Sequence, residues 1–297
     1  ISGAGALTKD NTSTLTLSGL NTYTGATTIS AGTLVTGVND GVGTGALGNG
    51  GDITFTGGTL QYATGITQDY SARILNSTSA ITVDTNGEDV TWASNLAGTN
   101  TGGLTKEGAG TQTLTGANTY TGATTITAGT LQLGDGTDGK DGTIAGTSIV
   151  NNANLTYNRF GTTSYGGVIS GSGTVTKEGA GTQTLSGANT YTGVTTINAG
   201  TLQADVADVA STSGALGNGG DITFTGGTLQ YTANSAGSDY SSRIVNSTSA
   251  ISVDTNNNNV TWAGAFAASN TGGLTKEGLG TLTLQPTGAA DVAPTGT

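Results

Sequence analysis

One phrase is written three times in this chain, and that repetition constrains the fold more than any single residue does. Residues 116–126 read Gly-Ala-Asn-Thr-Tyr-Thr-Gly-Ala-Thr-Thr-Ile, and close copies stand at 19–29 and 187–197. An Ala-Gly-Thr-Leu step follows each copy, at 31–34, 128–131 and 199–202. Such self-similarity marks a repeat architecture, in which a unit buries its apolar face only by stacking on its neighbours. Copying a structural phrase also points to length and surface rather than to one unique active site.

Two classes of unit alternate. Short units span 7–37, 104–134 and 175–204, with a partial copy at 274–284; long units span 46–103 and 215–273, and 143–174 is a connector unlike either. A Lys-Glu-Gly phrase begins at Lys106, Lys177 and Lys276, and its altered form at Lys9, so the intervals are 97, 71 and 99 residues. These fit four, three and four steps of roughly 24 residues, a length that winds once around a three-sided β-solenoid. Dropping one whole turn shortens the interval while keeping the two-residue alternation of side chains in phase.

Composition agrees. Only 33% of residues are hydrophobic and 9% charged, with 53 Gly; disordered chains of low hydrophobicity are normally far more charged. The apolar residues here are largely β-branched or Leu and alternate with Thr, which suits a pleated surface. The two Pro, Pro286 and Pro294, leave strand pairing uninterrupted until the tail. A formal net charge of −11 with 8 Lys+Arg supplies no basic stripe for nucleic acid and no attraction to an anionic membrane. No apolar run is long enough to span a bilayer. Cys is absent, removing disulfides and thiolate chemistry.

Within a turn, Thr111–Leu114 leads to a strand around Ile126 and then to Thr130–Leu133. Alternation places Leu114, Ile126, Leu131 and Leu133 inside and Thr113, Thr125, Thr130 and Gln132 outside. Leu185, Ile197 and Leu202 are their counterparts in the next short unit. Gly and Asn clusters supply the corners. Trp92 and Trp262 hold equivalent places in the two long units and are expected to pack on the coil.

Residues 104–134, from Leu-Thr-Lys-Glu-Gly through Asn-Thr-Tyr-Thr-Gly to Ala-Gly-Thr-Leu-Gln-Leu-Gly, resemble the passenger-associated transport repeat of bacterial autotransporters. The likeness covers roughly a third of the chain, and the first copy departs from it with Lys9-Asp10-Asn11. It implies a right-handed, single-stranded parallel β-helix, secreted through a carboxy-terminal outer-membrane barrel and displayed outside the cell.

With no His, a Ser-His-Asp triad or a His-ligated zinc is impossible. The acids recur with the units (Asp52/Asp221, Asp84/Asp254, Glu107/Glu178/Glu277), which suits corners and solvated faces better than one glycosidase cleft. Residues 135–142 are the exception: Asp135, Asp138 and Asp141 stand at three-residue intervals among Gly and could wrap calcium, although Lys140 opposes a cation and no Glu closes the loop. A solvated insertion is the favoured reading. Thr-x-Thr pairs such as Thr111/Thr113 resemble those of ice-binding solenoids, but too few turns carry them.

The expectation is therefore an all-β chain: one solenoid over 1–285, of about twelve turns and roughly 60 Å at ~4.8 Å per turn, with a tail at 286–297. Its expected role is a non-enzymatic, extracellular stalk or adhesin scaffold at a bacterial surface. The alternative is a binding module that grips glycans or neighbouring fibres through a lateral face. Because Ile1 stands inside a repeat phrase, the sequence reads as a segment of a longer protein, and end-to-end partners are other copies or flanking repeats.

Overall fold

The computed structural model describes residues 1–145, 148–209 and 212–285; the expected tail at 286–297 lies outside them. The described residues form β-strands and corners without an α-helix, the only helical pieces being the single 3₁₀ turns Ser71–Arg73 and Ser241–Arg243. None of them forms a helix able to cross a membrane, which says nothing of strands. The chain divides into two compact units, Ile1–Gly134 with Gly142–Ala153, and Asp135–Asp141 with Asn154–Thr297. Each is a β-solenoid of parallel strands, and the turns number about twelve in all.

In the first unit, Leu7–Lys9, Thr27–Ile29 and Ile53–Phe55 stack as one sheet. A second sheet runs through Thr14–Leu17, Thr33–Thr36, Thr59–Tyr62, Ile81–Asp84, Leu104–Glu107, Thr124–Ile126 and Ser148–Asn151. A third takes Val90–Trp92, Thr111–Leu114 and Thr130–Leu133. The second unit repeats the plan. Asn154–Asn158, Thr174–Glu178, Thr195–Ile197 and Ile222–Phe224 form one sheet. Thr162–Tyr165, Thr182–Leu185, Thr201–Ala204, Thr228–Tyr231, Ile251–Asp254 and Leu274–Glu277 form the next, and Asn258–Trp262 with Gly280–Leu284 a third. Strand-to-strand steps run from 19 residues (Thr14 to Thr33) to 27 (Thr195 to Ile222), bracketing the expected 24.

The core follows the alternation. Leu114, Ile126, Leu131, Leu133, Leu185, Ile197 and Leu202 are all at most 1% exposed, each contributing about 1.5–3 kcal/mol of burial. Trp92, Leu114 and Leu133 lie in one column. Thr125, Thr130 and Gln132 are half-buried on the outer face, but Thr113 is covered to 8% exposure because its flanking strands set Thr91 and Gln132 beside it. The bore also takes more than aliphatic side chains. Both Trp are fully buried, as are eight of the nine Tyr, and Tyr165 is 5% exposed. Trp92 donates its indole N–H to the Tyr62 hydroxyl at 3.0 Å and Trp262 to that of Tyr231 at 2.8 Å, which satisfies the polar end of each ring.

The repeat copies do not fall on the same side of the coil. Leu7–Lys9 of the first copy begins the first sheet, whereas its counterpart Leu104–Glu107 joins the second, pairing with Ile81–Asp84 above Thr14–Leu17. In the second unit, Thr174–Glu178 and its counterpart Leu274–Glu277 are likewise in different sheets. The interval from Lys9 to Lys106 is thus four turns plus about one further side. The turn count held in the spacing, but its whole-number phase does not, because the corner loops differ in length from turn to turn.

Candidate functional site: a lysine-locked coil

The Lys-Glu-Gly phrase and the Ala-Gly-Thr-Leu step meet in space. Lys106 stands in a strand where burial alternates, and its odd position points it inward, to 0% exposure. Its Nζ donates to the carbonyls of Glu107 (2.8 Å) and Gly108 (2.7 Å) at its own corner, and of Ala128 (3.2 Å) on the next coil. Lys177 repeats this with Glu178 (2.5 Å), Gly179 (2.8 Å) and Ala199 (3.1 Å). The altered first copy keeps the lock. Lys9 donates to the Asn11 carbonyl, to Asn11 Oδ1 (2.8 Å) and to the Ala31 carbonyl (3.0 Å).

Three carbonyl acceptors call for three N–H donors, which only the ammonium has; a neutral amine would turn a lone pair on one of them. Burial pushes Lys106 down to about 8, against the pull of Asp84, Asp89 and Glu107. Burial likewise brings Lys177 to about 8, with Arg159 adding to the fall and Glu178 and Asp141 opposing it. Both therefore remain charged at neutral pH. The glycine of the Ala-Gly step is required: Gly129 has φ +65°, and a Cβ there would lie 2.4 Å from the Gly110 carbonyl and 2.8 Å from Lys106 Nζ.

The copied Asn-Thr-Tyr phrase supplies a second tie. Asn118 accepts the Leu96 amide at 2.9 Å and donates to the Thr143 carbonyl at 3.0 Å, bridging the coils on either side. Asn189 does the same between Ile169 and Ala215. The buried tyrosine hydroxyls pair with the threonine four residues on: Tyr23 with Thr27 at 2.8 Å, Tyr120 with Thr124 at 2.6 Å, Tyr191 with Thr195 at 2.8 Å. The Asn, the Tyr and the Thr four residues on thus each have a structural task.

Each long unit carries a tethered loop that sequence reasoning missed. Arg73 pairs with Asp40 at 3.8 Å and donates to the carbonyls of Gly51 (2.8 Å) and Leu47 (2.5 Å). Arg243 pairs with Asp208 at 3.4 Å and donates to the carbonyls of Gly220 (2.7 Å) and Leu216. Burial raises both Asp carboxyls above their ordinary range, against the pull of the arginines. Beside Asp208 lies an open polar groove of about 640 Å³ lined by Asn218, Ser238, Asp239 and Arg243. Its carboxylates are engaged: Asp208 accepts the Tyr240 hydroxyl at 3.1 Å, and Asp239 the Ser241 hydroxyl at 2.5 Å and the Ala263 amide at 2.7 Å. The one signal in the sequence is that Arg73 and Arg243 hold matching places.

The Asp loop is placed as follows. Asp135 accepts the amide (3.0 Å) and hydroxyl (2.5 Å) of Thr137 and pairs with Lys140 at 3.6 Å. Desolvation pushes its carboxyl up, but the Thr137 bonds and Lys140 outweigh that and hold it low. Asp138 is exposed. Asp141 accepts the amides of Phe160 (2.7 Å) and Gly161 (3.0 Å). Among the described residues, no three acidic side chains gather in a group able to hold a metal ion.

On the outer face, Thr184, Gln203, Gln230 and Asp254 form a hydrogen-bonded ladder across four strands at 2.8, 2.5 and 2.7 Å. Gln61 and Asp84 repeat its last step at 2.6 Å. The one aromatic side chain that is largely exposed is Phe160.

The three segments that carry the lysine lock and the Asn-Tyr tie match a known family profile, at residues 7–35, 104–133 and 175–204, and so does the partial copy at 274–292. The profile is that of the passenger-associated-transport-repeat, and the four segments are similar to it. Four such repeats on a parallel β-solenoid are consistent with an autotransporter passenger domain, and they imply a surface or secreted location. Comparison with curated proteins and with solved structures finds no match. The long units, which lie between the matched segments, are built on the same coil.

Proposed function

We propose that this chain is a non-enzymatic structural segment of a bacterial passenger, a stalk or adhesin scaffold that presents other parts of its parent protein outside the cell. The observation that carries this reading is the lysine lock. A chain with 8 Lys+Arg in 297 residues commits three of them, Lys9, Lys106 and Lys177, to holding one coil on the next. The tyrosines and tryptophans, which a glycan-binding face would need on its surface, are in the bore, and this favours the scaffold over the binding module. In a bacterium displaying the parent protein, replacing residues 46–103 by residues 215–273 should leave the β-structure, the melting temperature and the level of display unchanged. Loss of adhesion to a surface that the parent binds, with display intact, would overturn the scaffold reading in favour of a binding face within the long unit.

A further inference from the structure

Asn-Gly occurs three times in this chain, at Asn49-Gly50, Asn86-Gly87 and Asn218-Gly219. Such a dipeptide can react with itself. The amide nitrogen after an asparagine can close on the side-chain Cγ, and glycine, with no Cβ, hinders that approach least. Closure needs a side-chain amide free to rotate and a following N–H that is not donated elsewhere. The fold separates the three sites on that ground. Asn86 Nδ2 donates to the Tyr62 carbonyl at 3.0 Å, and Gly87 donates its N–H to the Ala109 carbonyl at 2.9 Å. Both reacting groups are tied there, although both residues are exposed. Asn49 and Asn218 engage only their own backbone N–H, donated to the carbonyls of Tyr23 (2.7 Å) and Tyr191 (2.8 Å). Their side-chain amides, and the N–H groups of Gly50 and Gly219, make no hydrogen bond among the described residues. Both glycines are exposed, at φ +85° and +77°, with open space where a Cβ would stand. The arginine tethers hold the flanks instead: Arg73 takes the carbonyls of Leu47 and Gly51, and Arg243 those of Leu216 and Gly220.

We propose that Asn49 and Asn218 are self-modification sites, converted with water as the co-reactant to aspartate and isoaspartate, and that the fold protects Asn86. The Gly50 nitrogen forms a bond to Asn49 Cγ, the Cγ–Nδ2 bond breaks, and the glycine amide proton leaves with Nδ2 as ammonia. Water then opens the cyclic imide at either carbonyl. One opening gives aspartate; the other gives isoaspartate, which lengthens the backbone by a methylene. Nothing is oxidised or reduced, and Gly219 acts on Asn218 in the same way. Each conversion adds a carboxylate to the chain. At residue 218 it enters the groove that Asn218 shares with Asp208, Asp239 and Arg243. The long units thereby carry a slow chemical change that the short units, which contain no Asn-Gly, lack.

In the test, the whole 297-residue chain is held in warm, mildly alkaline buffer, digested and mapped by mass spectrometry, with electron-transfer fragmentation separating aspartate from isoaspartate. Two hydrogen bonds must break before Asn86 can close, each worth a factor of about two to ten. Asn49 and Asn218 should therefore convert about tenfold faster than Asn86. The same chain in urea is the control: without the fold, the three rates should converge. Conversion at Asn86 as fast as at the other two in the folded chain, conversion at only one of Asn49 and Asn218 or at neither, or a ranking that persists in urea would overturn the proposal.

Discussion

Lys106→Met tests the lock directly. Methionine keeps the length and most of the volume of the lysine stem, so the bore stays filled while the three donated bonds are lost. Bonds to a charged donor contribute about 1.5–3 kcal/mol each. The acceptors Glu107, Gly108 and Ala128 are half-buried, so water recovers part of that loss, and the ammonium's own desolvation is relieved. The expected cost is therefore about 2–4 kcal/mol, at the level of a broken buried polar pair rather than of a surface change. The chain holds its own control: Lys276, exposed and with two acceptors, should cost less than about 1 kcal/mol on the same substitution. Because a repeat protein need not unfold in one step, each unit requires its own reporter. Trp262→Phe leaves Trp92 alone in the first unit, and Trp92→Phe leaves Trp262 alone in the second. Urea titration of Lys106→Met against the first background, and of Lys276→Met against the second, gives the two costs. If they are equal, or if the Trp92 transition does not move, the three carbonyl bonds contribute nothing and the lock is only a geometric coincidence of the corner.

Leu131→Ala should cost about 2–5 kcal/mol as a cavity in a tightly packed bore, whereas Thr130→Ala, half-buried on the outer face, should change urea stability by about 0.5 kcal/mol or less; equal costs would mean the facing is wrong. Alkaline titration should show opposite signs in sequence. Lys106 and Lys177 fall from an ordinary 10.5 to about 8 in the folded chain, so between these values the unfolded chain binds more protons and their contribution to stability rises with pH. Burial raises Tyr23, Tyr62, Tyr70, Tyr157, Tyr165, Tyr191, Tyr231 and Tyr240 above 10. Stability from these groups is complete below pH 10 and is lost above it, by about 1.4 kcal/mol per pH unit for each tyrosine. The melting temperature should accordingly hold or rise from pH 8 to 10 and then collapse; a steady fall from pH 8 would contradict the lysine assignment. Millimolar calcium should leave the melting temperature of the whole chain unchanged, since Asp135 and Asp141 already accept protein donors; a rise that chelator reverses and Asp138→Asn abolishes would establish a calcium site.

The strand faces were legible because a two-residue period survives even in short strands: Thr130–Leu133 alone suffices to set Leu131 and Leu133 inward. The corner and core chemistry was not. Lys106 and Gln112 are polar, yet both occupy inward positions and are fully buried. Lys106 can do so because its strand ends beside a corner, where the carbonyls of Glu107, Gly108 and Ala128 converge on the ammonium and solvate it. Gln112 takes an inward place where it can donate to the Val90 carbonyl at 3.3 Å. The tyrosines of the copied phrase lie inside although they are large and polar, because each hydroxyl reaches the threonine four residues on. The Asp–Arg tethers span 33 residues in one case, Arg73 to Asp40, and 35 in the other, Arg243 to Asp208, and no local pattern reports a contact of that range.

Because successive repeat copies within a unit land in different sheets, the written period and the spatial period disagree. A substitution made at the same repeat position in residues 7–35 and 104–133 does not produce a stripe of identical side chains along one face; it turns the second side chain toward a different compass direction from the first. Tags, cross-linkers or ligands attached at equivalent positions would therefore point apart around the coil axis. A one-sided row of them must be chosen by strand register instead, for example through Thr16, Val35, Gln61, Asp84 and Glu107, whose positions within their strands follow one another across a single sheet.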